Sequence, residues 1–475
     1  MTASRRTGWN FALQRAVAWA IELARPLVVL EAVRVDHPWA NDRLHQFLID
    51  GMAEHAATFA NNAATYLPFI EPTPGDGKGL LATLAARSAV VVTDDYPCFF
   101  VPAMVAAAIP QVTARFEQVD GNGLLPMRSA GRAFNTAYLF RRHLQASVLR
   151  DGLVLPTADP LADVTLPRAA VDEATLRRWP MATQGSLSST SETIARLPID
   201  HAVRPAPLRG GTTAARRRLA TFVSTALDRY GDEQAQPEAD ATSGLSPYLH
   251  FGHMSSHEVF DAVLRARHPD GGSRPTPRTP APGVAVTGQR HGFWGLGASA
   301  ESFLDQLVVW RELAFNTCVF VPDYASFGSL PGWAQTTLER HASDPRPVVY
   351  DIDALEHART HDPLWNAIQT QLTRDGWFHN YLRMLWGKRI LEWSAHPRDA
   401  LTTMATLMNR YALDGRDPNA YAGYAWTLGR YDRPWAPERQ IFGRVRYMSS
   451  ANTLRKLRLK RFLSVYGPPT SNSLF

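Results

Sequence analysis

Cysteine is nearly absent: Cys98 and Cys318 are the two thiols in 475 residues. Two distant cysteines make neither a disulfide framework nor a zinc spacing, which fits a reducing compartment. Long apolar runs are missing too, since Arg15, Glu22 and Arg25 interrupt the stretch from Phe11 to Leu30. With no signal-peptide layout either, the expectation is a soluble cytoplasmic protein without a membrane partner. No HExxH, no phosphate-loop motif and no metal spacing occurs among the 15 histidines, so no metal is expected. No glycine fingerprint precedes a strand, which excludes a dinucleotide held in the usual βαβ manner. Acid is the scarcer charge, 44 Asp and Glu against 50 Lys and Arg, for a net +6. A basic surface suits an anionic partner, although many basic proteins have none.

What is present points to two domains. At 475 residues and 45% hydrophobic content the chain can bury a large core. Apolar residues fall at helical spacing from Trp9 to Ala24 and from Leu44 to Ala57, with a further helix expected over Gly79 to Ala86. Between them Pro26 to Val33, Pro68 to Ile70 and Ser88 to Thr93 read as short strands, so residues 1–150 should form an α/β domain with an open, mainly parallel sheet. Residues 151–209 carry many Pro and Asp with little periodicity and read as a linker. From 210 to 475 the pattern is helical, beginning with Thr212 to Tyr230, and Arg216 to Arg218 read as that helix's solvated face. A Pro- and Gly-rich insertion interrupts this region between His268 and Ser299. Arg444 to Arg461 contains Lys and Arg but no acid, and Arg455, Arg458 and Arg461 would share one helical face. Either a solvated amphipathic helix or a phosphate-backbone contact fits that pattern.

The stretch Asp362 to Trp426 concentrates the chemistry. Asp362 precedes Pro363 and can cap a helix there. No proline falls between Gly376 and Trp393, and Trp386 and Trp393 stand seven apart on one helical face. The run Leu413 to Asn419 (LDGRDPN) is a turn-rich loop holding two carboxylates and a guanidinium beside a glycine. LDGRDPNAYAGYAW, the later FGRVRYM, and the earlier LSPYLHFG (Leu245 to Gly252) and VVWRELAFN (Val308 to Asn316) stand in this order. Together they resemble the flavin-binding core of class II cyclobutane pyrimidine dimer photolyases, in the photolyase–cryptochrome family.

That resemblance implies an α/β domain followed by an all-α domain folded around FAD. It places the flavin at Tyr230, at the turn Thr242, Ser243, Gly244, Leu245 and Ser246, and at Gln306, Trp310, Arg311, Arg383, Asp414, Gly415, Arg416 and Asn419. Hydroxyls and backbone N–H groups in a glycine turn suit a diphosphate, and an ordinary capped turn fits Thr242 to Ser246 as well. Arg383 and Asp414 match the family's salt bridge beside the flavin ring. Trp365, Trp386 and Trp393 match its electron-transfer tryptophans, and Trp310, Met384 and Trp426 its apolar pocket walls. DNA, as a damaged duplex with a flipped dimer, is the implied partner, touched at its backbone by Arg444, Arg446, Arg455 and Arg458. A monomer is expected.

Four departures bear on function. Where the class II pattern has Arg, Glu and Asn, this chain has His257, Gln306 and Met408, although a one-residue shift would restore Asn409. Gln hydrogen-bonds but supplies no charge or acid, and His gives up a permanent cation. Only four residues precede Arg5, where the family has a strand. Either the start is placed too late or the sheet lacks its first strand, which leaves an antenna pigment doubtful. Three functions stay open: light-driven dimer repair, a photolyase-derived blue-light photoreceptor, and a flavin photoenzyme on another substrate.

Overall fold

The computed structural model describes residues 1–267 and 286–468. The Pro- and Gly-rich run 269–283 lies outside the described residues. The chain divides into two compact units. One holds Met1–Ser129, Ser147–Val223 and the described residues from Ser243 to 267; the other holds Ala130–Ala146, Ser224–Thr242 and the described residues from 286 onward.

In the first unit every strand pairing is parallel, as the alternation of helices and short apolar runs predicts. Val28–Val33 (β1) runs beside Thr65–Ile70 (β2), and Val90–Asp94 (β3) beside Arg115–Val119 (β4). Parallel neighbours need a crossover, supplied by the helices Asp42–Ala60 and Val101–Ala108. The strands form two separate pairs rather than one continuous ladder. Residues 1–4 bridge them: the Met1 amine donates to the Leu30 carbonyl at 2.8 Å, and the Thr2, Ala3 and Ser4 amides all donate to Asp94. β1 carries a fully buried carboxylate, Glu31, which is tolerable because Arg5, His55 and Tyr66 donate to it at 3.0, 2.7 and 2.6 Å.

Residues 151–209 are not a free linker. They carry the short helices Glu173–Arg178, Gln184–Ser188 and Thr190–Ile194. Leu187 and Ile194 share a core with Ile49 and Met52 of the crossover helix, and Trp179 packs with Phe69 and Leu80 while donating to the Asp76 carbonyl at 2.9 Å. Anchors spaced this irregularly leave no periodic trace, although each buries a large apolar side chain.

The second unit is helical around one core. Asp362 accepts from the Leu364 and Trp365 amides, both at 3.1 Å, and caps Pro363–Asp375, which Gly376 closes at φ +75°. Asn380–Trp393 follows as the central helix, buried on most sides, between Pro363–Asp375, Pro397–Tyr411 and Pro418–Thr427. Gly387 allows this packing, since a Cβ there would stand 2.8 Å from both Met404 Sδ and Thr427 Oγ1. No described helix is long and apolar enough to cross a membrane.

The basic tail departs from expectation. It is two short helices, Ser450–Lys456 and Lys460–Tyr466, with Leu457 extended between them. Leu457 and Leu459 are both buried while Leu454 is exposed. Residues two apart on one helix point to opposite sides, so burying both breaks the helix. The single arginine face of the sequence reading is therefore absent.

Candidate functional site

The three predicted relay tryptophans come together in the second unit. Trp365 lies parallel to Trp386, with ring centroids 6.5 Å apart and planes at 5°, and edge-on to Trp393 at 5.5 Å. All three are at most 1% exposed. Their orientations are locked, because Trp365 Nε1 donates to the Trp386 carbonyl at 3.0 Å and Trp386 Nε1 to Gln369 Oε1 at 2.8 Å. Trp393 does not itself reach solvent. Tyr350 and His361 stand edge-on to it, both at 5.4 Å, and Arg389 lies over its ring at 4.5 Å. Tyr350 shares a 2.8 Å hydrogen bond with His361 Nδ1, and His361 is exposed. No local motif marks Tyr350, His361 or Gln369, since each arrives from a different turn of the chain.

Arg383 and Asp414 also meet: Nη2 lies 3.1 and 3.0 Å from the two carboxylate oxygens, with both side chains largely buried. Arg383 Nε is buried without a partner among the described residues. An unsatisfied donor beside an ion pair is costly unless an acceptor completes it, and the acceptor-rich edge of a flavin ring fits that demand. The LDGRDPN loop behind the pair is shaped for its own support. A Cβ on Gly415 would stand 2.5 Å from the Met408 carbonyl. Arg416 sits at φ +61°, buried, with its guanidinium turned back on the carbonyls of Asn409 and Ala412. Burial holds that guanidinium down at about 10. Asp417 caps Pro418–Thr427 through the Asn419 amide at 2.8 Å. These contacts of Arg416 brace the loop.

Gln306 and Trp310 stand half-buried on one wide helical turn, and Trp310 lies flat on Trp426, centroids 4.6 Å apart at 9°. Arg311 stacks over Phe315 at 4.5 Å. Met384 is half-buried on the central helix. Tyr230 is buried edge-on to Phe303 at 5.4 Å. Met408, by contrast, is fully buried in the apolar core with Met404 and Leu407, so the sequence reading of it as a pocket residue is corrected. Asn409 does not take its place, since its side-chain oxygen accepts from the Arg416 amide at 2.9 Å and the Tyr424 hydroxyl at 3.0 Å.

In the first unit Gly244 has φ +64°, Arg218 Nε donates to the Ser243 carbonyl at 2.6 Å, and the Leu245 amide donates to Ser243 Oγ at 3.4 Å. Ser246 opens a single turn, Ser246–His250, and Thr242 immediately precedes this stretch in the second unit. Arg218 is half-buried over the glycine, where the sequence reading put a solvated face. His257 is 1% exposed, bonded to Ser255 Oγ at 2.9 Å and edge-on to Phe11 at 5.3 Å. That is a packed environment, at a position the resemblance assigns to substrate binding.

Arg444, Arg446, Arg455 and Arg458 are exposed. The first two belong to a hairpin-like loop tied by Trp435 N–H to the Arg444 carbonyl at 2.8 Å and Arg439 N–H to the Gly443 carbonyl at 2.9 Å. Arg433 and Arg446 flank exposed Trp435 at 5.8 and 5.2 Å, and Arg439 lies over exposed Tyr447 at 5.0 Å. Interleaved guanidinium and aromatic groups suit phosphates and bases. His341 latches this loop through Glu438 at 3.1 Å and also bonds Asp344 at 2.6 Å. Burial lowers the His341 pKa, but the two carboxylates outweigh it and the net shift is upward. The protonated latch therefore stabilises fully below the ordinary histidine range and is lost as pH rises through the raised value. The expected result is a fall in stability from neutral to mildly alkaline pH that is smaller in His341→Gln, measured by denaturant unfolding across pH.

No family model matches the chain. It is 32% identical over 468 residues, 98% of its length and 92% of the other's, to a deoxyribodipyrimidine photo-lyase of Methanothermobacter thermautotrophicus. It is 30% identical over 481 residues, 98% and 86% of the two chains, to a deoxyribodipyrimidine photo-lyase of Oryza sativa subsp. japonica. The fold resembles the crystal structure of a bacterial class III photolyase from Agrobacterium tumefaciens, with TM-score 0.61, 17% identity and 91% and 80% of the two chains covered.

Proposed function

Because the chain belongs to the deoxyribodipyrimidine photo-lyase family, we propose that it is a photolyase-type DNA repair enzyme, and more narrowly a class II-like, FAD-dependent, blue-light-driven enzyme that splits cyclobutane pyrimidine dimers. The observation that carries this reading is the coincidence, within one helical unit, of the stacked tryptophans with the Arg383–Asp414 bridge. FAD, when bound, supplies blue-light absorption and reversible one-electron transfer. The Arg383–Asp414 pair would hold the ring, with Arg383 Nε completing its hydrogen bonds there. Trp386, Trp365 and Trp393 would carry an electron hole away from it, toward the Tyr350–His361 edge. Trp310 and Trp426, stacked and half-buried, present flat apolar surface to a flipped base. The loop with Arg433, Arg439, Arg444 and Arg446 would hold phosphates, orienting the duplex without reading sequence. Cytoplasmic location and a monomeric state belong to the same proposal.

Gln306 favours a second reading, a flavin photoreceptor or a photoenzyme on another substrate, because it cannot supply acid or charge at the pocket. Blue-light repair of dimer-containing DNA by photoreduced protein, against a dark control, separates the two. Light-dependent recovery of intact thymines is the expected result. Normal photoreduction without recovery would overturn repair and leave the second reading. Gln306→Glu is expected to raise the repair rate about a hundredfold, the low end of what a positioned acid–base group contributes. An unchanged rate in single-turnover assays would show that the carboxylate is dispensable here.

A further inference from the structure

Asp305–Trp310 forms a π-helical turn between the helices Ala298–Leu304 and Arg311–Phe320. Such a turn has an extra residue, packs less well than an α-helical one, and recurs where side chains must be redirected. Asp305, Leu307, Val308 and Val309 are buried, whereas Gln306 and Trp310 are half-buried. The wide turn thus delivers both proposed pocket residues to a partly open side.

Support comes from the segment 132–141. At the start of the turn, Arg141 grips Asp305 with a parallel fork, Nε to Oδ1 at 2.6 Å and Nη2 to Oδ2 at 3.0 Å, with side chains 7% and 2% exposed. Arg290 adds a longer contact to Asp305 at 3.6 Å. Downstream of the turn, Asn316 accepts the Phe134 amide at 3.0 Å and donates to the Arg132 carbonyl at 2.9 Å. Both flanks of the turn are therefore tied to one outside segment. One helical turn beyond Arg141, Gln145 donates to the Gln289 carbonyl at 2.7 Å, and its Oε1 is buried without a partner among the described residues. Gln145, Arg141, Asp305 and Val309 border the same small recess.

We infer that residues 132–141 brace the π turn from outside, and that Arg141, acting through Asp305, is a positioning residue that sets how Gln306 and Trp310 face the pocket. A buried fork costs desolvation that two apolar side chains would not, so its role is geometric rather than simply stabilising. Lysine cannot reproduce the planar two-point grip. The proposal rests on reading Gln306 and Trp310 as pocket residues.

The test uses the flavin-loaded protein. Trp310 and Trp426, stacked at 4.6 Å, should give a coupled near-ultraviolet circular dichroism signal, identified by its loss in Trp310→Phe. The double variant Arg141→Met with Asp305→Leu removes both charges together and strands neither. It should unfold cooperatively, lose the coupled signal, and lower the preference for dimer-containing over undamaged duplex about tenfold at fixed salt. Arg141→Lys should do the same to a smaller degree, and it decides the matter if the double variant fails to fold. Retention of both signal and preference would overturn the brace. If the wild type itself shows no dimer preference, the repair reading fails, while the dichroism still decides the brace.

Discussion

Trp365→Phe is expected to abolish light-driven flavin reduction while leaving the fold intact. Trp365 is the one indole in contact with both others, parallel to Trp386 at 6.5 Å and edge-on to Trp393 at 5.5 Å. Phenylalanine keeps most of the volume but is a far poorer electron donor, so the chain of indoles is cut in the middle. The indole also loses its 3.0 Å bond to the Trp386 carbonyl and leaves a small void at a site with no exposure. Together these cost about 1–3 kcal/mol, well below the loss expected of Trp→Ala. The measurement is the rate of flavin reduction under blue light with an external reductant, together with flavin content and the unfolding midpoint. Reduction at background, with flavin retained, supports the relay. A rate equal to wild type would show that the indoles are packing alone. Repair by protein reduced chemically beforehand should survive the substitution, because the relay would recharge the flavin rather than split the dimer.

Much of this arrangement is legible in the sequence. The β-branched runs marked β1 and β3, and Asp362 followed by Pro363 marked a helix start that the structure caps through two amides. The in-order motifs brought Arg383 to Asp414 and the tryptophans to one another. What the sequence does not show depends on contacts between distant segments. Residues 151–209 looked like a linker because Trp179, Leu187 and Ile194 anchor them at intervals with no period. Lys388, on the central helix, is fully buried and donates to the Thr427 carbonyl, with burial pulling its pKa down to about 7. Met408 was aligned to a pocket position by motif spacing alone, and its side chain lies in the core. Tyr350 and His361 complete the surroundings of Trp393 from outside any motif. Spacing reports which face a residue shares within one element, whereas these placements are set by which elements meet.

Arg383→Leu should combine the largest stability loss with loss of the cofactor. It leaves Asp414 as a mostly buried carboxylate without its cation, and breaking such a pair costs about 3–5 kcal/mol. Asp414→Asn should cost less, because the amide oxygen still accepts from Arg383 while the charge is gone. The decisive comparison is the double variant Arg383→Met with Asp414→Leu. Replacing both partners by apolar groups of similar size is often neutral, so most of the lost stability should return. Flavin should not return with it, since the proposed role of the pair is to meet the ring through Arg383, whose Nε has no partner among the described residues. Denaturant unfolding and the flavin-to-protein absorbance ratio read the two effects separately. If the double variant recovers stability and also binds flavin as wild type does, the bridge is a structural ion pair and the ring lies elsewhere. If stability returns without flavin, the pair's value lies in the cofactor it holds, and a buried bridge that contributes little net folding energy has a functional reason to be there.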